Sequence, residues 1–307
     1  MHSFLRAVGF SDGNITEHEM EQILDDVYRD YDSMVSVIGS TSGTSYLEVS
    51  RLLGSGFGIR VCGQKDAYGF HRLHYFPYLT GSGITSEENV SISQCTDGDS
   101  YAGVLEDGRV GTSLIFALQN PGDYQRELRL GRLEEGRVTT TLSALSRSGL
   151  ILLPLKEDAD PDPEDPRLAY YEARTRTVAE AKAGSEEAME LLTVQDMDLY
   201  AMLTRRSEQE DILSIVETYF MPYGMESDQY RILGTILDVR RDINRLTREE
   251  VVILNIRCNG MQFDVCINQK DLGGEPEAGR RFKGTIWLQG RVNFTVKDYA
   301  KQGSLPS

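Results

Sequence analysis

The chain has 307 residues, of which 40% are hydrophobic and 26% charged, and its net charge is −16. This composition is typical of a folded globular protein and excludes a disordered chain. No apolar run approaches the roughly 18 to 20 residues that a membrane-spanning helix requires, and the length predicts two domains.

The charge is unevenly distributed along the chain. Residues 230–307 contain 13 Lys and Arg against 9 Asp and Glu, a charge of +4, which leaves −20 for residues 1–229. An acidic body repels nucleic acid and anionic membranes, so the charge disfavours both as partners. The change of sign predicts a domain boundary near residue 225, with an α+β domain over residues 1–225 and a small domain over 226–307.

The cysteines and the start of the chain bear on the compartment. The first residues lack a basic region leading into a long apolar stretch, so no secretory signal is expected. No two cysteines form a C-x-x-C motif, and few thiols in a chain of this length favour the reduced state of the cytoplasm. We therefore predict a cytoplasmic protein. The four cysteines are Cys62, Cys95, Cys258 and Cys266.

A helix is predicted soon after the short apolar segment Phe4–Phe10. Thr16 and Glu19 have the spacing of a capping box, in which a hydroxyl and a carboxylate satisfy free amide groups at a helix start. Apolar residues then recur three and four positions apart, as on an amphipathic helix that lies on a core. These residues are Met20, Ile23, Leu24, Val27, Tyr28 and Tyr31.

The middle of the chain has the pattern of consecutive antiparallel strands joined by turns, because β-branched and aromatic residues alternate with polar ones. Two strands are separated from the aromatic stretch Phe70–Thr85 by a predicted turn at 63–69, and Glu106–Arg109 forms a further tight turn. The other predicted strands are Tyr46–Leu53, Phe57–Cys62, Val138–Leu145 and Leu150–Leu155.

Three segments carry a resemblance to a known family. They are the start M-H-S-F-L-R-A-V-G-F, the central S-Y-A-G-V of residues 100–104, and R-V-G-T-S-L-I-F-A-L-Q-N of residues 109–120. The chain resembles an uncharacterised bacterial family of domains of unknown function, nearly from end to end. The resemblance implies no activity, so it supplies no functional residues.

After residue 155 the pattern changes from strand to helix. An acidic segment with several prolines, Lys156–Arg167, is expected to be a surface loop. Helical composition follows at Leu168–Lys182 and after a cap at Ser185. Ser207 and Glu210 form another capping box, and the apolar stripe after them predicts a helix that continues to Phe220.

The last part of the chain is predicted to be β-sheet again. Asn259-Gly260 is a two-residue hairpin turn. Four or five strands within 80 residues predict a small β-barrel-like domain, for which an oligonucleotide-binding-like shape is one form. In the last strand, Ile286, Leu288, Val292 and Phe294 share one face. Trp287 lies among polar residues on the other face, so it either packs between domains or lines a binding face. The strands are Tyr230–Val239, Val251–Cys258, Met261–Ile267 and Phe282–Phe294.

A metal site built from Cys62, His71, His74 and Cys95 would have the ligand types that zinc prefers. However, His71 and His74 are three residues apart, and on one extended strand they point to opposite faces. They would converge only through a bulge, or if the segment is not a strand. We therefore expect no metal and no cofactor.

Three other patterns offer weak signals for chemistry. Ser82, between two glycines, lacks the strand–turn–helix setting of a nucleophile elbow. Gly54–Gly58 lacks the Lys-Ser/Thr ending of a phosphate loop. Cys95 lies near acids, which raise a thiol's pKa, and a turn exposed to water explains the acids themselves. The acids are Asp97, Asp99, Glu106 and Asp107.

The leading hypothesis is therefore a non-catalytic binding or interaction protein with an unknown protein or small-molecule partner. Exposed aromatic residues beside polar groups are favoured at interfaces. One alternative is a metal-dependent or hydrolytic enzyme that uses His71, His74 and nearby acids. A second is single-stranded nucleic-acid binding through the C-terminal domain, with Trp287 as a stacking platform. The candidate binding residues are His71, His74, Tyr75, Tyr78, Trp287 and Arg291.

Overall fold

The protein is mostly β-sheet in the parts that its computed structural model describes. Those parts contain two α-helices, α1 (Glu17–Arg29) and α2 (Pro121–Arg129), and two short 3-10 helices, Leu5–Val8 and Gln269–Asp271. The α+β expectation therefore holds only loosely. The structure describes residues 2–11, 15–38, 43–95, 100–110, 113–131, 138–154, 218–225 and 227–294.

Helix α1 begins as its sequence predicts. The Thr16 hydroxyl accepts a hydrogen bond from the Glu19 amide at 3.2 Å, and the Glu19 carboxylate accepts one from the Thr16 amide at 2.8 Å. The capping box is thus confirmed. The apolar stripe of the helix packs on the sheet that follows it. The predicted helices at Leu168–Lys182 and after Ser185 lie outside the described residues.

A four-stranded antiparallel sheet follows α1, with its strands side by side in chain order. The predicted turn at 63–69 is wrong in length, because the third strand continues to Asp66 and the chain reverses over two residues. Polar side chains there lie on exposed strand positions, so their polarity does not end the strand. The strands are β1 (Ser33–Ile38), β2 (Ser45–Leu52), β3 (Phe57–Asp66) and β4 (Gly69–Leu79).

A larger sheet contains ten strands of the described chain. Two sequence predictions are wrong here. The two pieces predicted around residues 138–155 form one strand, and Tyr219–Pro222 is a strand that pairs with its neighbour instead of a helix end. The strands are β5 (Val90–Gln94), β6 (Tyr101–Glu106), β7 (Ser113–Leu118), β8 (Val138–Leu152), β9 (Tyr219–Pro222), β10 (Gln229–Ile243), β11 (Glu250–Cys258), β12 (Met261–Asn268), β13 (Leu272–Gly273) and β14 (Arg281–Phe294).

Strand β8 is hydrogen-bonded to three strands of the larger sheet, β12, β13 and β14. It pairs in parallel with β12 and antiparallel with β14. β14 pairs with β10, β10 with β11, and β11 with β12, so the hydrogen-bonded neighbours lead from β8 back to β8. The larger sheet therefore contains strands from both sides of the predicted boundary near residue 225.

Two apolar cores result from this arrangement. One is formed by alternate residues of the larger sheet, including Ile286, Leu288 and Val292 of β14, as the alternation predicts. The other joins α1 and the four-stranded sheet to outward-facing residues of the larger sheet, including Ile253 and Trp287. The hairpin at Asn259-Gly260 is confirmed, because the φ angles of these residues are 48° and 74°, as a type I′ turn requires.

The 3-10 helix Leu5–Val8 is held between the two sheets. The Asn244 side chain donates to the Val8 carbonyl at 2.6 Å, and the Cys266 thiol donates to the Ala7 carbonyl at 3.3 Å. Arg6 forms an ion pair with Asp271 at 2.6 Å. This segment is therefore anchored on the larger sheet, and its Leu5, Ala7 and Val8 also belong to the apolar core that includes α1 and the four-stranded sheet.

Candidate binding cleft

A cleft of about 310 Å³ lies between α1 and strands β3 and β4. The helical residues that line it are three or four positions apart, so they share one face of α1. The residues lining the cleft are Glu21, Leu24, Asp25, Tyr28, Val61, Phe70 and Arg72.

The floor and one wall of the cleft are apolar. Leu24 and Val61 are fully buried in the core between α1 and the sheet. The rings of Tyr28 and Phe70 are stacked, with their centroids 4.4 Å apart and their planes 6° from parallel. Such an offset or parallel aromatic pair adds about 0.5–1.5 kcal/mol beyond the area that its rings bury.

The rim of the cleft is charged. The Arg72 guanidinium donates to the Glu21 carboxylate, and the side chains of these residues are 26% and 59% exposed. Asp25 lies one helical turn after Glu21, and no residue that the structure describes forms an ion pair with it. The three charged residues therefore leave one negative charge at the mouth of the cleft.

A β-bulge in β4 decides which side chains reach the cleft. His74 lies opposite Cys62, but Arg72 lies opposite Gly63, so Leu73 is an extra residue. Because cross-strand partners share a face, Arg72 lies on the α1 side together with Val61. Gly63 matters here as well, since a Cβ atom on it would lie only 2.6 Å from the Phe70 ring.

The same bulge places His71 and His74 on one face of β4, opposite Gln64 and Cys62. This is the condition under which the sequence allowed the two histidines to converge. Their neighbours differ, however. His71 is 60% exposed, with Nε2 lying 3.4 Å from Asp66, whereas His74 stacks with Phe76 at 6.0 Å.

No group of three or more His, Cys, Asp or Glu side chains is placed to hold a metal ion in the described ranges. The Cys62 thiol is fully buried beside Glu48, which pairs with Arg60 at 2.8 Å. Burial, and then the Glu48 carboxylate, raise the pKa of Cys62 well above its usual value. Its thiol is therefore protonated at neutral pH and is a poor nucleophile.

Trp287 packs between the two sheets and the start of the chain. Its ring is stacked on Phe4 at 5.4 Å and meets Phe76 edge-on at 6.4 Å, and its indole N–H donates to Asp228 at 2.6 Å. The residue is only 8% exposed. Of the two roles expected for the single tryptophan, packing is the one that these contacts describe.

The other candidate residues from the sequence are dispersed. The half-buried Tyr75 accepts a hydrogen bond from the His2 amide at 3.2 Å, and Tyr78 is buried beneath the Arg60 guanidinium at 4.9 Å. Arg291 is on the surface, 3.5 Å from Asp123. None of these three residues lines the cleft.

The other sequence patterns that could carry chemistry, the glycine-flanked serine and the acidic residues that the structure describes, do not lie together in the structure. The Ser82 amide donates to the Asp264 carboxylate at 2.8 Å, so the main chain at this glycine-flanked serine is held against β12. Asp107 is buried in an ion pair with Arg109. The expected water-exposed turn is therefore wrong for Asp107, whereas Asp97 and Asp99 lie outside the described residues.

The cleft residues Glu21, Asp25 and Arg72 are not among the candidate residues that the sequence patterns predict. The two residues on α1 could have been found from the sequence, because their carboxylates at positions i and i+4 border the apolar stripe of the helix. Nothing in the sequence indicates Arg72, since only the bulge in β4 brings its side chain to the helix.

Comparisons with known proteins bear on the family alone. A family model described as "Domain of unknown function, E. rectale Gene description (DUF3881)" matches residues 5–290. The chain belongs to this family. The match confirms the resemblance expected from the sequence, and the DUF3881 description assigns no activity to any residue. No curated protein and no solved structure gives a significant match.

No helix in the described part of this DUF3881 member combines the length and apolarity needed to cross a membrane.

Proposed function

We propose that the protein is a non-catalytic binding protein and that the cleft between α1 and β4 holds its ligand. The observation that carries the proposal is the combination, in one concavity, of an apolar floor, a stacked aromatic wall and the Asp25 carboxylate. Ligand sites typically combine apolar walls with a few polar groups. About 310 Å³ is at the small end of their range, so the cleft suits a small molecule or one side chain.

The state of the reactive groups favours binding over catalysis. The Cys62 thiol is buried and protonated, and the His71 and His74 rings have different neighbours. A general acid–base or nucleophilic site needs such groups within hydrogen-bond reach of one another. The cleft itself is lined by carboxylates and an arginine but by no cysteine, serine, threonine or histidine.

One observation favours the alternative of a metal-dependent or hydrolytic enzyme. The bulge in β4 places His71 and His74 on the same face, which two ligands on one strand require. Metal analysis of the purified protein tests this alternative directly. Near-stoichiometric zinc that is lost in the His71→Ala variant would support it over the binding proposal.

Nucleic-acid binding receives less support. A base-stacking platform needs an exposed ring, whereas Trp287 is stacked on Phe4 and is almost fully buried. The acidic charge of residues 1–229 opposes the approach of a phosphate backbone as well.

We also infer that β8, β10, β11, β12 and β14 close into a small barrel, because their pairings return to β8. Five strands is the number of the oligonucleotide-binding fold, whose shape the sequence suggested. In this arrangement β8 belongs to the barrel, although it precedes the proposed boundary at residue 225. A cytoplasmic location is supported by four cysteines that are free thiols.

The binding role is tested by screening a fragment library against the full chain by ligand-observed NMR. Fragments that bind the cleft should be lost in Asp25→Tyr, where a ring fills the mouth. They should be retained in Asp26→Tyr, because Asp26 is the adjacent carboxylate on α1 but does not line the cleft. If no fragment distinguishes the two variants, the cleft is not the binding site.

A further inference from the structure

Resting on the proposed binding role, we propose that the cleft recognises a single positive charge on an apolar stem. The chemical class is an alkylammonium or alkylguanidinium group. Such a group occurs at the end of a lysine or arginine side chain of a partner protein, and also in a small free amine.

The charge of the ligand follows from the ion pairs at the rim. Arg72 neutralises one of the two carboxylates by its contact with Glu21. Asp25 remains without a cation among the described residues, and it lines the same cleft. A cation that enters the cleft gains this carboxylate, whereas an anion meets an unfavourable charge and a neutral group gains little.

The apolar stem follows from the floor. The half-buried, stacked rings of Tyr28 and Phe70 offer aromatic surface below the charged rim, above the fully buried Leu24 and Val61. Methylene groups of a lysine or arginine side chain bury well against such surface while the charged end stays at the rim. The aromatic wall adds a favourable field for a nearby cation.

Arg72 already shows this mode of recognition within the molecule. It lies along the cleft with its guanidinium on the Glu21 carboxylate, and its side chain is less exposed than that of Glu21. The protein thus places one cationic side chain with an aliphatic stem in the cleft. The second carboxylate, Asp25, offers an equivalent position to a group from outside.

The wider charge of the protein supports the same sign. Helix α1 carries five acidic residues and one arginine, and residues 1–229 carry −20. Such a field raises the local concentration of cations and their rate of association at low ionic strength.

The experiment titrates four small probes of similar size into the full chain at low salt, with NMR detection at the cleft amides of Tyr28 and Val61. The probes are n-butylammonium, n-butylguanidinium, n-butanol and butyrate. We expect the two cations to bind, butanol to bind several-fold more weakly, and butyrate not to bind. Raising the ionic strength should lower the affinity for the two cations and leave the affinity for butanol unchanged.

Three variants test how the charges at the rim affect the affinity for butylammonium. Asp25→Asn should weaken butylammonium binding by about two- to fivefold, the range of an exposed ion pair. Asp26→Asn should leave the affinity unchanged, because Asp26 faces Arg29 at 3.5 Å. Arg72→Gln should strengthen binding, since it releases Glu21. Thermal denaturation of each variant verifies that the fold is retained.

The same measurements distinguish a wrong ligand class from a cleft that binds nothing. If butanol or butyrate binds as well as the cations, or if Asp25→Asn and Asp26→Asn behave alike, the ligand class is overturned while the cleft remains a binding site. If neither these probes nor any fragment perturbs the cleft, both proposals are overturned. A blocked Gly-Lys-Gly peptide that binds more tightly than butylammonium would identify a protein side chain as the source, and weaker peptide binding would identify a free amine.

Discussion

Two glutamate–arginine pairs lie on either side of the four-stranded sheet and differ mainly in their exposure to water. The side chains of Glu48 and Arg60, on the side that meets α2, are 4% and 9% exposed. Those of Glu21 and Arg72, on the α1 side, are 59% and 26% exposed. The two pairs have the same residue types, and burial is what distinguishes them.

The buried pair is enclosed by partners from the rest of the protein. The second Glu48 oxygen accepts from the Gly122 amide at the start of α2 at 3.1 Å, and Arg60 also donates to the Gln119 carbonyl. A ligand cannot reach these groups. The open pair instead borders the cleft beside the Asp25 carboxylate, where water and solutes reach it.

The largest expected effect comes from breaking the buried pair. Arg60→Met leaves the Glu48 carboxylate in the core without its cation, and we expect unfolding in urea to show a loss of about 3–5 kcal/mol. The double variant Glu48→Leu/Arg60→Met should recover most of that loss. A loss below about 1 kcal/mol for Arg60→Met would mean that the two pairs do not differ as described.

A smaller effect is expected at Gly63, which shapes the cleft wall. In Gly63→Ala the new Cβ atom would lie 2.3 Å from the His71 carbonyl oxygen and 2.6 Å from the Phe70 ring. We expect a loss of about 1–3 kcal/mol from overpacking and a changed near-ultraviolet circular dichroism spectrum. Adding Phe70→Leu should relieve part of the loss, and an equal loss with and without it would assign the strain to the backbone alone.

A third pair, Asp107 and Arg109, is intermediate, because its side chains are 2% and 42% exposed. Burial alone would raise the pKa of Asp107, but hydrogen bonds from Arg109 and Ser86 outweigh it and lower the pKa to about 2. A lowered carboxyl pKa stabilises the fold above the unfolded value near 4, and this contribution is lost as the pH falls towards 2.

Asp107→Asn should accordingly cost on the order of 1–2 kcal/mol at pH 6, a range that allows for solvent screening at Arg109. At pH 2 the variant and the parent should differ little. Urea unfolding at both pH values measures this difference, and a loss that is independent of pH would show that Asp107 acts through packing and not through its charge.

The smallest effect is expected for the open pair. Glu21→Gln should change the free energy of unfolding by less than about 1 kcal/mol, and the change should shrink further in high salt. Urea unfolding in low and high salt provides the measurement. A loss comparable to that of Arg60→Met would place the Glu21–Arg72 pair among the structural contacts and weaken the case for an open site.

The elements that sequence reasoning identified are those with local causes. The capping box of α1 involves residues three positions apart, and the Asn259-Gly260 turn depends on two residues that tolerate positive φ. The alternation along β14 likewise separates Ile286 and Leu288 from Trp287. Such signals are complete within a few residues, so they do not depend on the rest of the chain.

Errors arose where a distant contact overrides the local pattern. Strand β8 runs through Gly149, because β14 and β13 pair with it at that point. Tyr219 and Phe220 fit a helical stripe, yet pairing with β10 makes them a strand. Helix α2 was not predicted, since Pro121 and Gly122 resemble a turn and Asn120 forms no side-chain cap.

The amino-acid sequence by itself determined that this protein is rich in β-strands, where α1 begins, which residues of β14 share a face, and that residues 1–229 are strongly acidic. Only the tertiary structure decided that α1 and β4 enclose a cleft, and that Arg72 but not His71 reaches it. The physical reason is that one extra residue in β4 reverses the faces of the side chains beyond it. That extra residue is visible only in the pairing of β4 with β3.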